Sequence, residues 1–420
     1  MSNLLAILTI PSLRKKILYS IAILVLYRVG SHVPISGVNL SMLSDLFNQG
    51  GVLGFFDLFS GGGLSRFSVF ALGILPYINA SIIMQLMTIV WPKLKELAEE
   101  GDSGRKQIAQ YTRYLAVGMS FLQATVMAVG FKSFVLPGIS FPFFLFYAVT
   151  CLVAGAALVM WLGELITENG IGNGASLLIF IGIIAQMPAY IKNTYVLIQG
   201  GASKIGVAIL LLVFIAIIIS IVFVQEAEKK IPVQYAKRVV GRRMYGSQNT
   251  YIPLRLIQGG VMPIIFASAV LQFPLMFVQY INVESLQNFF STYYQYDGVA
   301  YNLFFCLLIF FFTYFYTAIT FNPQDLADNI KKHGGFIMGV RPGRSTVEFL
   351  EKIITKLTLV GAMFLSFVAL VPVVAANLTQ ITSFMGLGGT ALLIIVGVAM
   401  DLVKQIEVFV ISKKYEGLLE

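Results

Sequence analysis

From Ile205 to Val224 the chain reads I-G-V-A-I-L-L-L-V-F-I-A-I-I-I-S-I-V-F-V, twenty residues with no charge. About twenty such residues are what an α-helix needs to cross the hydrocarbon core of a bilayer. A strand of an outer-membrane barrel would alternate apolar and polar residues, so this continuous run specifies a helix. The run is not isolated: 57% of the 420 residues are hydrophobic and only 12% charged. A soluble core cannot hide that much apolar surface.

Hydropathy places ten spans, at 17–33, 68–90, 114–131, 143–163, 174–190, 205–224, 258–280, 301–320, 357–375 and 387–403. The first follows Arg14, Lys15 and Lys16 and is too long and too integrated for a cleaved signal. Of the 29 Lys and Arg residues, 24 fall in alternate loops on one side, including both terminal segments. Such asymmetry predicts that both termini are cytosolic, or stromal in a plastid. The excess of positive charge therefore marks topology and docking faces rather than nucleic-acid binding.

One stretch occurs twice. G-I-L-P-Y-I-N-A-S-I-I-M-Q, Gly73–Gln85, returns as G-V-M-P-I-I-F-A-S-A-V-L-Q, Gly260–Gln272, with Gly, Pro, Ile, Ala, Ser and Gln at the same spacing. The copies fall in the second and seventh spans. Pro76 and Pro263 are expected to kink these helices, since proline removes an intrahelical hydrogen bond. An odd number of spans per half inverts the second half relative to the first, so the paired stretches run antiparallel. The expectation is an all-α polytopic membrane protein, ten helices in two inverted five-helix halves around a central pore. The halves comprise residues 1–195 and 196–420, with a hinge in 191–204.

Between the first two spans, Leu53, Phe55, Phe56, Leu58 and Phe59 are too apolar for an exposed loop, yet the segment is too short to cross. Flanked by Gly50-Gly51 and Gly61-Gly62-Gly63, it reads as a short helix folded back into a cavity, or as one lying on the outer leaflet. The basic loops 225–257 and 321–356 read as projecting arms. Alternation from Ile231 to Tyr235 predicts a hairpin, Asn322 a helix cap, and Gly343 a turn after Pro342. Their arginines offer forks to carboxylates and phosphates.

The chain carries no phosphate loop, no H-E-x-x-H and no Cys/His cluster, so neither a catalytic site, a cofactor nor a metal is predicted. Cys151 and Cys306 lie far apart in apolar spans and indicate no disulfide. A secondary transporter of small solutes is the competing reading, because inverted repeats occur there too. It usually keeps ionisable groups at mid-depth. Arg28, Glu164 and Asp401 all lie near span ends, and the polar groups inside spans, such as Ser81, Gln85, Ser268 and Gln272, are neutral.

Four long motifs resemble the SecY family, the central subunit of the bacterial and plastid protein-conducting channel. They are F-S-V-F-A-L-G-I-L-P-Y-I-N-A-S-I-I-M-Q-L, E-E-G-D-S-G-R-K-Q-I-A-Q-Y-T-R-Y, M-W-L-G-E-L-I-T-E-N-G-I-G-N-G-A-S and F-N-P-Q-D-L-A-D-N-I-K-K-H-G-G-F-I-M-G-V-R-P-G. The resemblance implies a ten-helix clamshell that moves unfolded secretory polypeptides and releases apolar segments sideways into lipid. It further implies a pore ring of Ile78, Ile82, Ala175, Ile179, Ile265 and Ile394. Ala175 is smaller than the isoleucine usual there, so either the collar is looser at that point or the ring sits one turn away. By the same resemblance, Gly54, Phe55, Phe56, Leu58, Phe59 and Leu64 belong to a plug, segment 54–64. Pro76, Ser81, Gln85, Pro263, Ser268 and Gln272 belong to a lateral gate, and Arg242, Arg243 and Arg341 to a surface that meets a SecA motor or the ribosome. The implied partners are SecE-like and SecG-like membrane subunits, signal-bearing polypeptides and the bilayer, in a bacterial plasma membrane or a thylakoid.

Overall fold

The computed structural model describes residues 10–40, 42–43, 57, 59–201, 203–235, 238–240, 243–245, 250–278, 298–379 and 388–416. For 235, 238–240, 243–245, 272–278 and 414–416 only the backbone is described. Ten long helices follow the ten predicted spans in order among these residues. They are α1 (Pro11–Gly30), α2 (Leu75–Val90), α4 (Asp102–Gly130), α5 (Phe141–Asn169), α6 (Gly174–Gln199), α7 (Lys204–Glu226), α8 (Met262–Val278), α9 (Val299–Thr320), α11 (Arg344–Thr379) and α12 (Gly389–Glu416), with short helices α3 (Pro92–Glu99) and α10 (Pro323–Lys332) on loops. Six of the ten, α4, α5, α6, α7, α9 and α11, are long and apolar enough to cross a membrane by length and composition alone.

Several boundaries differ from expectation. Hydropathy finds where a helix is greasy, whereas backbone hydrogen bonding decides where it stops. Thus α4 and α11 begin about three turns before their apolar windows, and α12 runs on past its own. The expected division at 195 falls inside α6, which continues through Pro188 to Gln199; the turn comes at Gly200–Gly201, and Ser203 then caps α7 by accepting from the Gly206 N–H.

The repeated stretch is corrected in a more informative way. The second span does not start its helix at 68, since residues 61–74 form a series of tight turns. Pro76 and Pro263 do not kink α2 and α8. Each is the second residue of its helix, where an N–H would have no intrahelical partner to lose. Just ahead, Gly73 (φ 55°) and Gly260 (φ 56°) hold the left-handed conformation that turns the chain into the helix. Then Ile78 N–H donates to the Ile74 carbonyl and Ile265 N–H to the Val261 carbonyl, both at about the same length, 3.1 and 3.2 Å. The duplicated sequence is a duplicated helix start.

Packing sorts the helices into two sets. In the first, α5 packs on α1, α4 and α6, and α2 on α4; in the second, α11 packs on α7, α9 and α12, and α8 on α9. The sets meet where α2 and α4 touch α8 and where α6 touches α12. A large apolar core lies between them, and a smaller one within the first set gathers Ile35, Leu64, Phe67, Phe131, Phe144 and Leu152.

The two arms are one structure. β1 (Glu228–Tyr235) pairs antiparallel with β4 (Thr250–Arg255), Ile231 opposite Ile252, giving the expected hairpin. On its other edge β1 takes β5 (Gly335–Ile337) from the second arm, with Val233 opposite Ile337. A second small hairpin joins β2 (Arg238–Val240) and β3 (Arg243–Tyr245). Ile231, Val233, Leu254, Ile330, Ile337, Leu350 and Ile354 fill a core between the three-stranded sheet, α10 and α11. Asn322 caps α10 by accepting from the Gln324 N–H, and Gly343 (φ 107°) turns the chain after Pro342, both as expected.

An apolar constriction and the segment beneath it

The residues expected in the pore ring come from four helices, all of which stand at the seams between the two helix sets. Ile78 and Ile82, one turn apart on α2, are 6% and 4% exposed; Ile179 on α6, Ile265 on α8 and Ile394 on α12 are at most 2% exposed. All five belong to one apolar core cluster, and half-buried Ala175 packs against it one turn before Ile179. Phe59, from the segment between the first two spans, joins the same cluster at 2% exposure.

On α6 the spacing Ala175, Ile179, Gly182, Gln186 is four, three and four, which lines one helix face. The first two lie with the isoleucine cluster. The next two meet Asp57 and residues 59–61: a Cβ on Gly182 would come 3.3 Å from the Phe59 carbonyl oxygen and 3.5 Å from Gly61 Cα, so the chain passes against bare backbone there. Gln186 Nε2 donates to the Asp57 carbonyl at 2.6 Å and is itself oriented by Tyr190, whose hydroxyl donates to Gln186 Oε1. From α1, Arg28 Nη1 donates to the Gly61 carbonyl at 2.7 Å, and the Tyr27 hydroxyl reaches the Ser60 carbonyl.

The segment is also folded on itself. Asp57 Oδ1 accepts from the Leu64 N–H (3.0 Å), the Ser65 N–H (2.9 Å) and the Ser60 hydroxyl (3.2 Å). Burial pushes the Asp57 carboxyl above the usual carboxylate range, opposed by these bonds from Ser65, Ser60 and Leu64. Leu64 is buried in the smaller core beside Phe67. Gly54, Phe55, Phe56 and Leu58 lie outside the described residues.

In the sequence Arg28 stands as a charge near a span end, and no motif marks Tyr27, Asp57 or Gln186. One signal was available. A charge inside a span costs about 2.5–3.5 kcal/mol on insertion scales and is retained where it has partners, and the nearby Gly-rich loop offers carbonyls.

Along the α2/α8 seam, Pro76, Pro263 and Ser268 are buried while Ser81 and Gln85 are half-buried. Among the described side chains, Gln85 Nε2 donates to Ser81 Oγ within α2, and Ser268 Oγ to the Ile265 carbonyl within α8. For Gln272 only the helical backbone is described. Of the docking arginines, Arg341 is exposed in its turn, its carbonyl tied by the Thr346 hydroxyl. Arg243 is placed by backbone in β3, and Arg242 lies outside the described residues.

The family profile of SecY matches residues 68–403. The protein translocase subunit SecY of Synechococcus elongatus is 48% identical over 419 residues, covering 97% of this chain and 94% of that protein. The chain belongs to the SecY family. Its fold is that of solved SecY and Sec61 channels. A SecY channel whose plug domain stabilises the closed state and maintains a membrane seal superposes with TM-score 0.64 at 20% identity, covering 94% of this chain and 91% of that one. Sec61 in the canine ribosome–channel complex from the endoplasmic reticulum gives TM-score 0.59 at 19% identity, with the same coverage. As a SecY chain it is a multi-pass membrane protein with the ten-helix, two-half clamshell, and the seams described above are where those halves meet.

Proposed function

We infer that this chain is the central subunit of a protein-conducting channel, a gated conduit for unfolded polypeptides and not an enzyme. One observation carries the reading: α2, α6, α8 and α12, the helices at the seams between the halves, contribute isoleucines to a single cluster that also receives Phe59 of the intervening segment. A collar of branched apolar side chains sheds water and ions when empty, yet closes round an extended chain without selecting its sequence. Ile78, Ile82, Ala175, Ile179, Ile265 and Ile394 form that collar, and residues 54–64 are the plug outside it.

The α2/α8 seam is the lateral gate, through which apolar segments pass into lipid. Membrane hydrogen bonds average only about 0.6 kcal/mol, and here the serine bonds lie within each helix, so apolar packing holds the seam and yields to a greasier intruder. No phosphate-loop motif is present in the sequence, and the push comes from outside. A SecA-type motor or a ribosome docks on the arms at Arg242, Arg243 and Arg341; the likeness to Sec61 in a ribosome complex supports a ribosome as partner. SecE-like and SecG-like subunits brace the halves, the turn at Gly200–Gly201 serves as hinge, and the termini lie in the cytosol of a bacterium or the stroma of a plastid. The solute-transporter reading is set aside, since family membership assigns the fold to polypeptide passage.

The test is ion leak in planar bilayers. Removing two branched side chains from the collar opens it, so Ile78→Gly with Ile265→Gly is expected to raise the conductance of the closed channel severalfold. Unchanged conductance removes both from the collar.

A further inference from the structure

We propose that Arg28 of α1 and Gln186 of α6 are positioning residues that latch the plug shut by gripping its carbonyls at Gly61 and Asp57. The inference rests on the reading of residues 54–64 as a plug and goes beyond it by naming what holds that segment in place. The two grips close on a preformed loop. Asp57 Oδ1 gathers Leu64, Ser65 and Ser60, and the Gly62 N–H donates back to the Asp57 carbonyl at 3.0 Å. Arg28 takes one end of the stretch at 2.7 Å and Gln186 the other at 2.6 Å. Between them the chain lies on Gly182, while Phe59 fills the isoleucine cluster.

Both grips come from the first half of the clamshell, on helices that touch each other. Phe59, by contrast, packs in a cluster that includes α8 and α12 of the second half. Parting of the halves therefore takes away the packing supplied by α8 and α12 and leaves the hold of the first half. There the hydrogen bonds from Arg28 and Gln186, one of them charge-assisted, act beside the Tyr27 hydroxyl on the Ser60 carbonyl and the burial of Leu64. A charge-assisted bond is the stronger kind, and it falls here on the carbonyl of a buried glycine. The strength of this latch then sets how readily the channel opens, both spontaneously and for a weak signal sequence.

The experiment uses the full chain with its co-purifying membrane subunits in planar bilayers, and an export assay with a weakened signal sequence. Three forms are compared: Arg28→Met with Gln186→Leu, the deletion of residues 54–64, and both changes together. The latch predicts that the double variant opens about tenfold more often or beyond, the size of one charge-assisted hydrogen bond. It also predicts better export from the weakened signal, and no further leak when the variant is placed on the deletion. Arg28→Lys, which keeps a donor, is expected to restore much of the seal. A leaky deletion with a silent double variant overturns the latch while the plug stands. Extra leak from the double variant on top of the deletion also overturns it, by assigning the two residues to helix packing. A deletion that does not leak overturns the plug reading and the latch with it.

Discussion

The residues proposed for the collar act through what they exclude. Ile78 and Ile265 occupy matched positions of the duplicated stretch, and each helix start delivers its isoleucine to the same cluster. Their matched positions are legible in the sequence, because a repeat is visible without coordinates. Asp57 and Gln186 were invisible by the same logic: their partners lie 129 residues apart, and a backbone carbonyl has no sequence signature. Arg341 is the exposed counterpart, its guanidinium offered from a turn fixed by Gly343 and by the Thr346 hydroxyl. Reversing its charge is expected to lower motor-driven translocation by tenfold or more while leaving complex assembly intact, about the loss of one charge-assisted contact. Arg341→Glu vesicles assayed for ATP-dependent import with bound motor quantified in parallel check this; normal import with normal motor binding removes Arg341 from the docking surface.

At the scale of elements, hydropathy found the ten helices but misplaced their ends, since polar turns of α4, α11 and α12 extend past the apolar windows. The prolines show the same limit. Pro76 and Pro263 look like kinks in a run of apolar residues, yet a left-handed glycine three residues earlier makes each a helix start. The arms were legible as a hairpin and a capped helix but not as one body, because β1–β5 pairing joins residues about a hundred apart in sequence. Val233 is the common strut, opposite Thr250 on one side and Ile337 on the other, and 1% exposed. Val233→Asp places an unpaired charge in that core at a cost on the order of 3 kcal/mol. Limited proteolysis of the purified complex is expected to cut both arms faster together, while the membrane helices stay protected. Faster cutting of residues 225–257 alone would show that the arms move separately.

For the whole molecule, the proposed lateral gate requires the two halves to part along α2 and α8. Cysteines at Ser81 and Ser268, or one turn along from each, introduced after replacing Cys151 and Cys306, are therefore expected to crosslink under oxidation and block export. Reduction is expected to restore it; full export from a completely crosslinked population is incompatible with a gate at this seam. The chain's membrane character, its ten spans and the inverted pairing of its halves were readable in the sequence, through composition, period and repetition along the chain, whereas the isoleucines proposed for the collar follow from its resemblance to SecY. The hydrogen bonds that tie Asp57 to Ser60, Leu64 and Ser65, those that Arg28 and Gln186 donate to Gly61 and Asp57, and the joining of the two arms were decided only in three dimensions. They depend on carbonyls and strand edges that every residue carries alike, and only the packing of distant helices selects which of them are met.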